Sequence, residues 1–376
     1  GLGDWILNPE PMPLERHRGF ATCAYGNMVF ILGGDSTGSS GSRVDYVGTA
    51  ELQGDGTLGP WTQTTSLPKP LWIPQAIQYR DWIFLIAGRA DEASGLEQAN
   101  VYRARIQSDG TLDTWEPQPS LPDARYGHVA VRQENRIYVL GDWVYGPDAK
   151  SDVYVTEISP AGELGDWRTT TPLPDCIYAS DAAIIGNRLF VFGGKELVGG
   201  EQKIVSKVRY ADIGADGNLG AWVLTDSMPQ SRWFHRVEVA DRHVYVAGGD
   251  LYGPVPEVME GFVFEDGRIV WREATPLPNP TSGNGLVSMN GHLYYLPGFT
   301  DTRIYYTPVT TSGAHRYAEP FPARRYFLLS LPLTFPPETH LSTALAALGP
   351  EGIGTWRCFG WSDGGLQEDP VITTGA

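Results

Sequence analysis

The chain has 376 residues, enough for a large hydrophobic core, and its 41% apolar and 19% charged residues are ordinary for a globular protein. Its net charge of −16 argues against a nucleic-acid partner, because binding to phosphates requires a basic surface. No apolar run is long enough to span a bilayer, and we expect Cys23 and Cys176 to be free thiols.

A tryptophan recurs along most of the chain, with gaps of 56, 54, 52, 55 and 49 residues. Each one belongs to a unit with a turn such as residues 54–59, a later Leu-Pro or Met-Pro pair, and an apolar run that ends in glycine. Repeats of about fifty residues built from strands and turns predict a β-propeller, whose blades bury one another's faces. We expect packing between blades for the tryptophans Trp5, Trp61, Trp115, Trp167, Trp222 and Trp271.

After each of these proline pairs the chain contains two apolar segments joined by a polar turn, which predict the first two strands of a blade. In the first unit they are residues 20–24 and 29–34, joined by Gly26 and Asn27. Val, Ile, Phe and Tyr followed by glycine suit a pleated surface that is packed on both faces. The second segment ends at Gly34, Gly88, Gly141, Gly194, Gly249 and Gly298.

The two ends of the repeat region complement each other. Residues 2–5 have the pattern of the last strand of a blade, whereas the sixth unit ends near residues 308–310 without its Trp. We therefore expect the N-terminal strand to pair with residues 303–307 and complete blade six, which removes a free edge. The prediction for residues 1–315 is an all-β, six-bladed propeller closed by the N-terminal strand.

Residues 316–376 have a different pattern. Residues 325–333 and 355–359 are predicted strands, and the Ala-rich stretch 337–348 between them is a predicted helix. This order predicts the start of a small β-α-β module as a second domain. We also expect the chain to be part of a longer protein.

The repeated unit of an apolar strand, Gly-Gly, a further strand such as residues 153–155, and a Trp followed by Leu-Pro resembles the kelch repeat over residues 1–315. The pattern is most similar to secreted bacterial kelch-like proteins, whose Asp-Gly-x-Leu-Gly-x-Trp turn is matched at Asp55, Asp109 and Asp216. The resemblance implies an extracellular or cell-surface location. It also implies that residues after the Leu-Pro pair and after the Gly-Gly share one face, where ligands bind.

That face is the candidate binding site. We predict no catalytic and no metal-binding residue in it. The fourth residue after each proline is an aromatic ring in five of six units, and the third is arginine in three. Rings and guanidinium groups are favoured in binding surfaces, so we expect these side chains to be partly exposed around a common cavity. The candidates after the prolines are Arg16, His17, Trp72, Arg125, Tyr126, Tyr178, Arg232 and Trp233, and those after the glycines are Arg89, Trp143, Lys195 and Asp250.

The remaining residues do not suggest a catalytic centre. The seven histidines are scattered over different units, and His128 and His235 occupy equivalent positions that favour a structural role. We predict no metal and no cofactor. Two hypotheses remain open: a non-catalytic recognition or assembly module of a larger extracellular structure, binding a protein segment or glycan, or a kelch-type enzyme such as a sugar epimerase or oxidase with its site at the same mouth.

Overall fold

The computed structural model describes residues 1–36, 43–90, 97–142, 150–198, 201–240, 242–299, 301–309, 359–362 and 365–368. The chain divides into two units, residues 1–310 and 311–376. The first unit contains six four-stranded antiparallel sheets, and the described residues include no helix. The predicted all-β, six-bladed propeller is confirmed.

Strands are numbered in chain order, and each blade is given from its innermost to its outermost strand. Blade 1 consists of β2 (Ala21–Tyr25), β3 (Met28–Leu32), β4 (Val47–Glu51) and β5 (Thr62–Gln63). Blade 2 consists of β6 (Gln75–Tyr79), β7 (Trp82–Arg89), β8 (Glu97–Arg105) and β9 (Glu116–Gln118). Blade 3 consists of β10 (Val129–Gln133), β11 (Arg136–Leu140), β12 (Val153–Glu157) and β13 (Arg168–Thr170).

The second half of the ring repeats this order. Blade 4 consists of β15 (Asp181–Ile185), β16 (Arg188–Phe192), β19 (Val208–Asp212) and β20 (Val223–Leu224). Blade 5 consists of β21 (Arg236–Ala240), β22 (His243–Ala247), β23 (Val258–Val263) and β24 (Ile269–Ala274). Blade 6 consists of β25 (Gly285–Met289), β26 (His292–Leu296), β27 (Tyr305–Pro308) and the N-terminal β1 (Ile6–Leu7).

The N-terminal strand closes the ring as predicted. β1 pairs antiparallel with β27, so that Ile6 lies opposite Tyr306 and Leu7 opposite Tyr305. The innermost strands contact one another in sequence, and β25 of blade 6 contacts β2 of blade 1. Six clusters of buried apolar side chains lie between adjacent blades, which is where a propeller places its core.

Five of the six repeated tryptophans donate a hydrogen bond to the preceding blade, and Trp61 packs against the core between blades 6 and 1 without this bond, so the predicted packing role is confirmed. Trp115 Nε1 donates to the carbonyl oxygen of Thr65 at 3.2 Å, with the ring packed in the core between blades 1 and 2. Trp5 makes the same bond to the carbonyl of Thr275 at 2.9 Å. The closing strand therefore uses the contact that joins the other blades. Equivalent bonds are donated by Trp167, Trp222 and Trp271.

A second contact also repeats around the ring. In this contact, a side chain in or next to the outermost strand of one blade accepts a hydrogen bond from a backbone N–H of the next blade. The donor residue follows the turn that precedes the outermost strand of that next blade. At the closure, Asn8 Oδ1 accepts from Leu58 N at 2.7 Å, and Asn8 Nδ2 donates to Leu58 O at 3.1 Å. The same acceptor role is taken by Thr64 toward Leu112, Gln118 toward Leu164, Thr170 toward Leu219 and Asp226 toward Ile269.

The C-terminal unit is described only at one hairpin, in which β28 (Phe359–Ser362) pairs with β29 (Gly365–Glu368). The predicted strand 325–333 and helix 337–348 lie outside the described residues, so the β-α-β module and its boundary stay predictions. Cys23 and Cys176 are free, as predicted. Within the described ranges no helix is long and apolar enough to cross a membrane.

Candidate functional site: the mouth of the propeller

The two sets of predicted site residues lie side by side on one face, which we call the mouth. In three blades an antiparallel pair joins the segment after the proline to the segment after the glycines. These pairs are Trp72 with Arg89, Tyr178 with Lys195, and Trp233 with Asp250. Trp143 lies outside the described residues.

Blade 1 departs from the predicted register because it contains one extra residue after its proline. Arg18, and not His17, pairs with Asp35 in the position that the aromatic residues take in other blades. Arg16 falls outside the pattern as an exposed residue with a φ of 52°. The one-residue slip in the sequence alignment of this blade is the reason for the error.

His17 instead occupies the position of the buried arginines. Its Nε2 lies 2.6 Å from the carbonyl oxygen of Gly33, sixteen positions later. Arg125 and Arg232 donate through Nη1 to carbonyl oxygens at the same separation, at 3.3 and 3.2 Å. All three side chains therefore hold the glycine turn that precedes the mouth loop of their blade.

The expectation that Arg125 and Arg232 are partly exposed is wrong, since both have an exposed fraction of 0%. Arg125 also donates to the carbonyl oxygen of Asp152 at 3.3 Å and lies 4.5 Å above the ring of Tyr154. Arg232 also donates to the carbonyl oxygen of Glu257 at 2.9 Å. Their guanidinium groups point into the blade and tie its loops together, so neither is available to a partner.

The aromatic candidates form two clusters with cations, each across a pair of adjacent blades. In the first, Trp72 lies 6.3 Å from Tyr126, and the Arg89 guanidinium lies 5.3 Å above the Tyr126 ring. Trp72 and Arg89 are half-buried, whereas Tyr126 is buried beneath them, contrary to the predicted exposure. This cluster joins blades 2 and 3.

The second cluster joins blades 4 and 5 and consists of Tyr178, Lys195 and Trp233, which we call the lysine cluster. Tyr178 and Trp233 make an edge-to-face contact at 6.4 Å, and Lys195 Nζ lies 3.1 Å from the centre of the Trp233 ring. Tyr178 is buried, again against the expectation, and its hydroxyl donates to Gln202 Oε1 at 2.5 Å. Burial lowers the pKa of Lys195, and the carboxylate of Asp250 opposes this shift.

The channel beneath the mouth is almost closed. One residue from each blade lines its narrowest part, which we call the throat, and all six have a φ between 48° and 67°. These residues are Gly19, Ile73, Gly127, Ala179, Phe234 and Gly283. Backbone bonds link neighbours in this ring, such as Ile73 N to Gly19 O and Phe234 N to Ala179 O, both 2.8 Å. The cavity that they line has a volume of about 20 Å³. That is room for one water, whereas small-molecule pockets measure about 300–1,000 Å³.

The predicted common cavity is therefore wrong, because none of the predicted site residues that the structure describes lines this throat. The reason lies in the backbone, which turns at the throat residues and directs the neighbouring side chains either between the blades or outward. The mouth is consequently a rim of side chains around a narrow centre.

The buried histidines next to the mouth are held neutral. Burial lowers the pKa of His17 to about 4. Burial, and then the charges of Arg125 and Arg232, lower the pKa values of His128 and His235 to about 3. This environment agrees with the structural role predicted for His128 and His235. In the part of the chain that the structure describes, no three His, Cys, Asp or Glu side chains are grouped to hold a metal.

Two aromatic residues on the described part of the rim are exposed: Tyr252, which was not predicted, and Phe299, which follows the glycine of blade 6 on the predicted face but was not a site candidate. Tyr252 is 95% exposed at the tip of a turn, with a φ of 63°, and Asp250 Oδ1 accepts from Gly253 N at 3.1 Å within that turn. Phe299 is 38% exposed, and the Arg18 guanidinium lies 4.4 Å above its ring. The sequence signals are the Tyr-Gly-Pro turn after the glycines of blade 5 and the position of Phe299 directly after Gly298.

Comparison with known proteins agrees with this architecture. No family model matches the chain. It is 27% identical over 180 residues to Kelch-like protein 40 of Xenopus laevis, covering 46% of this chain and 28% of that protein. It is 22% identical over 299 residues to Kelch-like protein 15 of Homo sapiens, covering 77% of this chain and 47% of that protein. The chain thus spans less than half the length of these curated relatives.

A solved structure of a protein named YjhT superposes with a TM-score of 0.61 at 14% identity, covering 80% of this chain and 95% of that one. At this identity the likeness concerns the fold alone. The finer resemblance to secreted bacterial kelch-like proteins stays a prediction. The sequence repeats, the six closed blades and these matches together make the chain a kelch-repeat β-propeller.

Proposed function

We propose that the propeller is a non-catalytic recognition module that binds a segment of a partner protein across its mouth. The observation that carries the proposal is a rigidly held rim of two exposed rings, Tyr252 and Phe299, with half-buried rings and cations, around a throat of about 20 Å³. Within the described ranges, a rim of this kind offers contact area to a polypeptide but no enclosed volume to a small ligand.

The exposed Tyr252 and the half-buried Trp233 are preorganised for binding. The turn that carries Tyr252 is fixed by the side-chain bond of Asp250 and by a backbone pair between Asp250 and Pro254. Trp233 is held from one side by Tyr178 and covered by Lys195. Because such side chains lose little freedom on binding, burying one at a partner's surface contributes on the order of 2 kcal/mol.

The enzyme hypothesis has less support among the described residues. The carboxyl group at the mouth with a shifted pKa is Asp142, whose pKa is raised to about 6 by burial, with Arg125 opposing the shift. Its side chain is fully buried, and its Oδ1 accepts from Tyr126 N at 3.3 Å. A general acid or base must reach substrate, which this carboxyl group does not. Glycan binding, the extracellular or cell-surface location and a place in a larger assembly stay predictions.

The experiment is selection of random 15-residue peptides, displayed on phage, against the immobilised protein, followed by affinity measurement on synthetic copies. We expect Tyr252→Ala or Trp233→Ala to weaken binding about thirtyfold, the equivalent of about 2 kcal/mol. Tyr25→Ala is the matched control, because Tyr25 is an exposed tyrosine at the opposite end of blade 1. Selected peptides that depend on Tyr25 but not on the mouth residues, or binding confined to a glycan array, would overturn the proposal.

A further inference from the structure

Blade 4 carries a second sheet on the mouth side, formed by β14 (Ile177–Tyr178), β17 (Lys195–Val198) and β18 (Glu201–Ile204) in that order. β17 follows β16 after two glycines, and β18 precedes β19, so the hairpin prolongs the second and third strands of the blade. Lys195 lies opposite Tyr178 on one side and Ile204 on the other. The lysine cluster therefore sits at the base of this raised sheet.

The raised hairpin is anchored by a buried ion network. The side chain of Glu196 in β17 is 0% exposed and lies 2.6 Å from Lys207 Nζ. Arg209 of β19 pairs with the same carboxylate and, at 2.5 Å, with Asp175. An uncompensated buried carboxylate costs several kcal/mol, so these two cations hold the hairpin to the blade in one orientation.

The outer edge of β18 is open. The fourth strand of the blade and the segment after it stop below β18, where Thr225 N donates to Val208 O at 3.0 Å and Met228 N donates to Ser206 O at 2.8 Å. Among the described residues no strand pairs with β18 on the side away from β17. Val205 N donates inward to Gly194 O at 3.0 Å. Because this direction alternates along an antiparallel strand, the backbone groups of Gln202 and Ile204 point outward.

We propose that this edge accepts an extended segment of the partner protein as an added β-strand. The proposal rests on the proposed function and specifies its mode of binding. Main-chain hydrogen bonds to Gln202 and Ile204 would supply affinity, as in other cases of strand addition. Alternate side chains of the segment would face the lysine cluster, since Gln202 and Ile204 share the face of Lys195.

Charge favours a foreign segment over a second copy of this chain. Each copy carries a net charge of −16, so two copies held edge to edge repel each other. Lys203 on the edge strand is also the type of residue that hinders self-pairing of exposed strands. Along β18 the negative Glu201 and the positive Lys203 are separated by the neutral Gln202. This order suits a segment that places a positive residue opposite Glu201 and a negative residue opposite Lys203.

The test uses the peptides selected on the intact protein. Each backbone amide of a bound peptide is N-methylated in turn, and strand addition predicts losses of tenfold or more at every second position. On the protein, Ile204→Pro removes an outward amide and should weaken binding at least tenfold. Leu224→Pro is the control, because the backbone N–H of Leu224 also points outward, from β20, the outer strand of the same blade.

The outcomes separate the two proposals. Peptides that depend on Tyr252 but tolerate N-methylation at every position overturn strand addition and leave the proposed function standing. Failure to select any mouth-dependent peptide overturns both. If Ile204→Pro does not fold, the N-methyl scan on the unaltered protein decides. A wild-type dimer in sedimentation velocity that Ile204→Pro converts to monomer would assign the edge to a second copy and overturn the proposal.

Discussion

Replacing Asn8 by alanine tests how the ring is held closed. Asn8 is 3% exposed, and its amide makes two bonds with the backbone of Leu58 and a third, at 2.7 Å, with the carbonyl oxygen of Glu10. The variant leaves the buried N–H and C=O of Leu58 without these partners, and each such group costs about 1–3 kcal/mol. We expect Asn8→Ala to lose about 3 kcal/mol, which lowers the Tm of a unit of 310 residues by about 4–5 °C.

The assay is urea unfolding followed by tryptophan fluorescence, with thermal melting as a second measurement. Leu7→Ala is the control in the same strand, because the Leu7 side chain is 52% exposed and should contribute less than about 1 kcal/mol. Asn8→Thr should recover part of the loss, since Thr64 and Thr170 accept the equivalent N–H in other blades. The reasoning is refuted if Asn8→Ala is no less stable than Leu7→Ala.

Three further predictions concern the blade interior and the channel. Arg232→Ala should lose about 2 kcal/mol of stability, because it removes charge-assisted hydrogen bonds to buried carbonyl oxygens. The control Tyr252→Ala should change stability by less than about 0.5 kcal/mol. A lower urea midpoint for Tyr252→Ala than for Arg232→Ala would contradict the structural role of Arg232. Gly34 has a φ of 102° and a Cβ there would lie 2.8 Å from Arg18 O, so Gly34→Ala should cost about 2 kcal/mol or more, and an unchanged melting temperature would disprove this. Burial, and then the nearby carboxylate of Asp181, raises the pKa of Glu238 from 4.5 to about 8, so the folded state holds this proton more tightly than the unfolded state. The stability that this proton contributes is complete below the ordinary pKa of 4.5 and is lost as pH rises toward 8. Glutamine does not titrate, so the Tm of Glu238→Gln relative to that of the wild type should rise between about pH 5 and pH 8. A Tm difference that stays constant over this range would contradict the prediction.

The blades were predictable because their signals are local and repeated. Each Trp and each glycine at the end of a second strand recurs in nearly the same place. All six Trp rings pack in a core between blades, and the glycine has a positive φ in five of the six blades. The closure followed from the same logic, since a fourth strand missing at one end was present at the other. Residues that obey a repeat can be placed by counting.

The site was less predictable because counting fails where the repeat is irregular. One extra residue in blade 1 moves His17 into the position of Arg125 and Arg232 and places Arg18 on the rim. Sequence also does not distinguish an arginine that reaches inward to a carbonyl from one that reaches outward to solvent. The 95% exposure of Tyr252 depends on the geometry of its turn, which no spacing encodes.

The pairing of β1 with β27 has a consequence for how the protein is made. Ile6 and its partner Tyr306 are 300 positions apart, so β1 leaves the ribosome well before the strand with which it pairs. At about 5–20 residues per second, the N-terminal strand waits roughly 15–60 seconds for its neighbour. Its brevity, two residues, limits the apolar edge that is offered to other nascent chains during that interval.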